Sequence, residues 1–241
     1  MAPTYFRREP GIDAPTAIAA PHSICCFGRW IPADPEVRRF AKVRSGLSSV
    51  DTDPSKEKLR TAALALREGL PAAMRASAAE EIAGRDFPLN VERGTIVSGF
   101  SPMKSEISPI PLMRKLSNAG AQLALPVIAG RGKPLVMRAW SFGEPLKAGQ
   151  WGIREPMPEA PEVAPDILIV PLAAFDRRGH RIGFGAGYYD MTINSLRSRK
   201  PVVAIGIAFA AQEISHVPAT AHDAQLDLLL TERETIDFRK K

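Results

Sequence analysis

Residues 166–172, DILIVPL, form an almost wholly apolar run. A strand with one wet face alternates polar and apolar side chains, so an unbroken run of this length reads as a central strand covered on both faces. A short link leads from it to RIGFGAGYYD at 181–190, which has glycine at every second position (Gly183, Gly185, Gly187), then two tyrosines and Asp190. Alternating glycine suits neither a core strand, which needs side chains to pack, nor a helix, where each Gly is unfavourable relative to Ala. It reads as a loop whose main chain approaches something closely.

Outward from this pair, the same texture recurs. Runs at 95–100, 121–128, 134–142, 201–209 and 225–231 read as further strands. Between them, 108–120 reads as a helix capped by Ser108, with Pro109 at its first position and Gly120 past its end, and YYDMTINSLRSR reads as another. Upstream, KEKLRTAALALRE is helical with Asp53 as candidate N-cap, Pro54 at its first position and Gly69 and Pro71 as stop signals; AAMRASAAEEIAG follows as a second helix. The stretch EPMPEAPEVAP at 155–165 reads as a Pro-rich surface connection. Strands alternating with helices predict a three-layer α/β/α sandwich around a largely parallel sheet. Residues 1–52 are Pro-rich without a period of 3.6 or 2, so a flexible N-terminal extension, or an upstream-assigned start, is expected there and one domain over 53–241.

Composition narrows the function. Hydrophobic residues make up 45% of the 241 and charged residues 24%, ordinary for a globular protein. No apolar stretch is long enough to span a bilayer, and a cytoplasmic protein is expected. The net charge of +6 is spread among nearly as many acids, without a basic block or aromatic platform, which disfavours nucleic acid and fits an enzyme with anionic ligands. Cys25 and Cys26 are adjacent, which argues against a disulfide framework or a CxxC redox or zinc site, and the four histidines include no pair at a strong metal-ligand spacing.

In parallel sheets, ligands gather where strands end and loops lead into helices. The glycine loop lies downstream of the most apolar strand and directly before a helix, where backbone N–H groups can surround phosphate oxygens. Its spacing is neither the Rossmann nor the Walker pattern. Arg181 can neutralise phosphate; Asp190 can bind Mg²⁺ or receive a proton. Lys56 and Arg60, four apart, share one face of the first helix, which is either a solvated face or an anion contact. Glu106, just past the strand at 95–100, can receive the N–H donors of a heterocycle or contribute to the next cap. Asp227 interrupts an apolar run, so it points to water or serves as a second metal carboxylate. Trp151 can stack on a flat ring or cap a core edge.

The combination resembles the 5-formyltetrahydrofolate cyclo-ligase (5,10-methenyltetrahydrofolate synthetase) family. DILIVPLAAFDRRGHRIGFGAGYYD is similar to its signature, and KEKLR, FSPMKSEISPIPLM, LALPVI, WGIREP and AQLDLLLT occur in the family's order between about residues 54 and 235. The resemblance implies an ATP- and Mg²⁺-dependent ring closure of 5-formyltetrahydrofolate to 5,10-methenyltetrahydrofolate, releasing ADP and phosphate. It further implies that Lys56, Arg60 and Arg181 hold the triphosphate, that Gly183, Phe184, Gly185 and Gly187 admit it to the backbone, and that Asp190 and Asp227 ligate Mg²⁺. Ser101, Glu106 and Trp151 would bind the folate; Tyr188 and Tyr189 would line the junction of formyl oxygen and phosphate, with Arg181 and Tyr188 as catalytic candidates. A monomer acting on folate and ATP is expected, with neither nucleic acid nor membrane as partner. Two positions depart from the pattern: Met191 stands where Arg often follows Tyr-Tyr-Asp, and Ala186 replaces Gly or Lys. Competing expectations are a non-catalytic relative that binds nucleotide, folate or nucleic acid in the same cleft, and, from the sheet alone, a sugar-phosphate isomerase or regulator.

Overall fold

The computed structural model describes residues 55–239. The extension expected over 1–52, and the cap placed at Asp53 and Pro54, lie outside these residues. Helix α1 (Lys56–Glu68) is instead capped by Ser55, whose Oγ accepts from the Lys58 amide at 3.4 Å. Helix α2 (Ala72–Gly84) follows, then strand β1 (Ile96–Ser98), helix α3 (Ile110–Asn118), β2 (Gln122–Val127) and β3 (Val136–Ala139). Strands β4 (Leu146–Ala148) and β5 (Arg154–Pro156) form a hairpin around a short 3₁₀ turn. Beyond it come β6 (Ile167–Pro171), the hairpin β7 (Ala174–Phe175) and β8 (Arg181–Ile182), helix α4 (Tyr188–Arg197), β9 (Val203–Ile207), β10 (Leu228–Leu230) and β11 (Thr235–Asp237).

One seven-stranded sheet runs in the order β11-β10-β9-β6-β1-β2-β3. Its interior strands are all parallel, and β3 and β11 close the two edges antiparallel. The chain steps outward from β1 to β2 and then crosses back beyond β1 to lay down β6. That reversal leaves a crevice at the carboxyl ends of β1 and β6.

The period-2 geometry of the strands sorts their side chains to two faces. On one, Val97, Leu123, Leu125, Ile167, Ile169, Ile205 and Leu228 pack beneath α2 and α3 through Ala79, Ile82, Leu112, Met113 and Leu116. On the other, Ala124, Leu168, Val170, Ala204 and Leu229 meet Ile193 and Leu196 of α4. The expected three-layer sandwich is therefore present, and DILIVPL is its centre: Leu168, Ile169 and Val170 are fully buried.

Short elements that propensity does not single out, namely β4, β5, β7, β8 and β11, complete the fold. The Pro-rich connection does more than cross the surface. It lies along the edge strand β3, with the Ala139 amide donating to Pro161 O at 2.8 Å and the Val163 amide to Met137 O at 2.9 Å. Arg138 fastens it, donating to the carbonyls of Pro158 and Ala160 and to Glu162.

Because Leu168 is buried between β6's two parallel neighbours and α4, Leu168→Ala removes packed methyl groups without relieving any strain. It should lower stability by about 3 kcal/mol, read as a fall in melting temperature of roughly 6–12 °C by calorimetry. A shift within error would mean that α4 collapses onto the vacated space.

Candidate functional site

The carboxyl end of β1 opens into the segment that carries Ser101 and Glu106. The carboxyl end of β6 leads through the β7–β8 hairpin to the glycine loop and α4. Asp176, fully buried in that hairpin's turn, accepts from the amides of Arg178, His180 and Val217 and from the Arg178 guanidinium. Burial alone would raise its pKa, but these donors hold it below the ordinary carboxylate range. The turn is thus locked, and it delivers Arg181 and the loop to the crevice.

Within the loop, Gly185 has φ of +101° and Gly187 φ of +68°, left-handed conformations that favour glycine. Gly187 is the N-cap of α4 and offers no side chain, so the first amides of the helix are uncapped from that side. Helix α1 packs across the hairpin through Ala63 against Ala173, Ala174 and Ile182. Its Arg60 donates from Nε to Gly183 O at 2.8 Å, while its terminal nitrogens, beside Gly185, hydrogen-bond no acceptor among the described residues. Lys56 is paired with Asp223 at 2.6 Å. Asp223 lies below its ordinary pKa: burial would raise it, and the Lys56 and Thr220 donors outweigh that.

Arg181 is buried, with a side chain 4% exposed, and pairs with Asp190 Oδ1 at 2.7 Å and with Ala224 O. Desolvation lowers its pKa, opposed by Asp190 and Asp223. It therefore shapes the field of the crevice from within rather than lining its surface. Asp190 Oδ1 also accepts from the Ala224 amide, leaving Oδ2 without a donor among the described residues. Glu106 closes a local turn, with the Met103 amide donating to Oε2 at 2.7 Å, and its Oε1 has no donor among the described residues. Burial raises its pKa, opposed by the Met103 amide and by Arg67.

The tyrosines separate in role. Tyr188 faces the Trp151 ring at 6.3 Å between centroids. For Tyr189, burial and then the charge of Glu106 push the hydroxyl well above the ordinary range, and Arg181 pulls it back. Trp151 is 64% exposed and sits at φ of +56°, and Lys104, in the Glu106 turn, has φ of +50°. Non-glycine residues in that region are strained and gather where a ligand shapes the loop. Arg131, Gln150, Trp151, Gly185, Ala186 and Tyr188 line a cleft of about 600 Å³. A groove of about 570 Å³ near Gln122 and Trp140 opens at the opposite, amino end of β2 and holds none of the candidates.

One expected partner is not brought in. Asp227 precedes β10 at the amino ends of the strands, where its Oδ2 accepts from the Ala204 amide and from Arg197, both at 2.7 Å. Arg197 lies seven residues along α4 from Asp190, about 10 Å of helix rise. Asp227 therefore pins β9 and α4 and does not share a site with Asp190. The acid that accompanies Asp190 is Asp223, one residue before the amide that Asp190 accepts from. Among the described residues no three His, Cys, Asp or Glu groups cluster to hold a metal unaided. Mg²⁺ keeps few protein ligands and draws the rest from substrate phosphates, a requirement that Asp190 and Asp223 fit. Three residues that the sequence reading passed over, Arg67, Arg131 and Asp223, also belong here. Arg67 falls seven residues after Arg60 on α1, and Arg131 lies between glycines just beyond β2, so both left a sequence signal; Asp223 left none.

Fold and site define an α/β protein whose cations, glycine loop and acids converge at the switch point of a parallel sheet. Residues 52–232 match the 5-formyltetrahydrofolate cyclo-ligase family, and the chain belongs to that family of folate one-carbon ligases. The 5-formyltetrahydrofolate cyclo-ligase of Mycolicibacterium smegmatis is 34% identical over 190 residues, covering 76% of this chain and 96% of that protein. That of Haemophilus influenzae is 29% identical over 182 residues, covering 73% and 97%. The Aquifex aeolicus 5,10-methenyltetrahydrofolate synthetase structure superposes with a TM-score of 0.64 at 29% identity, covering 77% of this chain and 94% of that one. Among the described residues no helix is long and apolar enough to cross a membrane.

The raised pKa of Glu106 has a sign that can be tested. A carboxyl whose native pKa lies above its unfolded value stabilises the fold at low pH, and that contribution is lost as pH rises through the native pKa. Glu106→Gln should therefore raise the melting temperature at pH 7.5, by about 2 °C, and the gain should vanish near pH 4. An equal gain at both pH values would mean that the buried charge is not its source.

Proposed function

We propose that this protein closes 5-formyltetrahydrofolate to 5,10-methenyltetrahydrofolate, with ATP converted to ADP and phosphate. The observation that carries this reading is that the Glu106 segment and the glycine loop meet: Arg67 donates to Ser105 Oγ at 3.1 Å and stands 5.4 Å over the Phe184 ring, with Arg181 and Asp190 paired at the loop's two ends. A heterocycle held at Glu106 and a phosphate chain held near Arg181 would meet there.

Glu106 Oε1 receives N–H donors of the pterin, Ser101 lies on the same segment, and Trp151 lies along the folate. Lys56, the terminal nitrogens of Arg60, and the amides of the glycine loop from Gly183 through Phe184, Gly185 and Gly187 hold the triphosphate, at the positive end of α4. Arg181 sets the charge of that subsite and orients Asp190. Asp190 and Asp223, in place of Asp227, hold Mg²⁺; when bound, the ion offsets charge on the transferring phosphoryl group. Tyr188 and Tyr189 line the junction and keep bulk water from it.

The chemistry needs this economy of groups. The amide-like oxygen of an N-formyl group is a poor leaving group, so it first attacks the γ-phosphorus and displaces ADP. N10 then adds to the activated carbon and loses its proton, and phosphate departs with the oxygen. The protein's part is alignment and charge neutralisation.

Purified protein with 5-formyltetrahydrofolate, ATP and Mg²⁺ should develop the near-ultraviolet absorption of the methenyl product, and should not do so without ATP. Absence of the chromophore in folded protein would overturn the activity. The metal assignment has its own test. Asp190→Asn should cut turnover by about 100-fold or more and also melt lower, since Arg181 loses its counterion. Asp227→Asn should lose about 1–2 kcal/mol of stability while turnover stays near wild type. A collapse of turnover in a folded Asp227→Asn protein would restore Asp227 as the ligand.

A further inference from the structure

We infer that Arg67 is a positioning residue that couples the two substrate subsites, so that folate and nucleotide each tighten the other's binding. The inference rests on the reading of those subsites given above. Arg67 is 3% exposed near the end of α1, an unusual place for a guanidinium. Its Nε donates to the buried Ser105 Oγ at 3.1 Å, next to Glu106 on the folate segment. Its guanidinium carbon stands 5.4 Å over the ring of Phe184, inside the glycine loop. One side chain thus touches the segment leaving β1 and the loop that follows β8.

Three features make this more than packing. Among the described residues the terminal nitrogens of Arg67 hydrogen-bond no acceptor, so the guanidinium is held with Glu106 and Glu68 as nearby charges and without a carboxylate bonded to it. Phe184 is 42% exposed and lies between glycines, which leave its loop free to rearrange; the cation beneath the ring is what orients it. Two turns back on the same helix, Arg60 holds Gly183 O, so α1 grips the loop at adjacent residues while reaching the folate segment from one of them. A folate that fixes Glu106 fixes Ser105 and the Arg67 fork with it. The Phe184 ring is then held before the nucleotide arrives, and less ordering remains to oppose nucleotide binding. Reciprocity requires the same factor in the other direction.

The test is titration calorimetry of a non-hydrolysable ATP analogue, with and without saturating 5-formyltetrahydrofolate, on the full chain. Wild type should bind the analogue about 5-fold or more tightly in the presence of folate. In Arg67→Met and in Phe184→Leu that ratio should fall toward one, and Arg67→Lys, which keeps the charge but not the planar fork, should retain only part of it. A purely structural Arg67 would weaken both ligands or lower the melting temperature while leaving the ratio unchanged, and that result would overturn the inference. So would a wild-type ratio of one. If Arg67→Met fails to fold, Phe184→Leu, altered on an exposed loop, decides alone. Failure of either ligand to bind folded wild type would instead overturn the proposed function.

Discussion

Strand β6 must satisfy its backbone on both sides at once, and the rest of the molecule is arranged around that requirement. Buried on both faces, Ile167–Pro171 has no water to bond, so its amides and carbonyls need β1 on one flank and β9 on the other, both parallel. Parallel neighbours cannot be joined by tight turns, so each needs a long connection: α3 carries β1 to β2, α4 lies on the way from β6 to β9, and a loop with one 3₁₀ turn joins β9 to β10. The chain's earlier excursion from β1 to β2 then makes the β1–β6 junction the one place where successive crossovers part. A binding crevice at that junction is a by-product of how the centre of the sheet is paired.

Much of this is readable from residue order because it depends on local texture. Each long apolar run became a strand of the large sheet, and α2 spans the helical stretch expected of it. What escaped depends on tertiary pairing. The hairpins β4–β5 and β7–β8 have strands of two or three residues, too short for a period to register, and the turn of the second is held by Asp176 contacting Val217 from far along the chain. Asp227 shows the limit most clearly. Its place in an apolar run says that its carboxylate needs a reason, but whether that reason is a metal or the Ala204 amide depends on which end of β10 it occupies. Asp223 is the converse: its pairing with Lys56 spans 167 positions and leaves no trace in either segment.

Two of the site's cations stand beside acids. Lys56 with Asp223 and Arg181 with Asp190 form two pairs around the glycine loop. Positive charge is thereby concentrated in the crevice without the self-repulsion that bare cations at these positions would bring. The same acids are those suited to a divalent ion. Under the proposed function, a phosphate chain with its metal would meet both signs of charge where they already stand.

The Pro-rich connection along β3 has a consequence for the molecule's behaviour among other molecules. An outer strand normally offers unpaired amides and carbonyls that a strand of another chain can adopt, the first step toward ordered aggregates. Here the position beside β3 is taken by residues near Pro158 and Pro161, fastened by Arg138, and a proline presents no N–H to pass the ladder onward. The same segment that returns the chain to β6 ends the sheet, so colloidal resistance on that side comes with the connectivity and needs no added element.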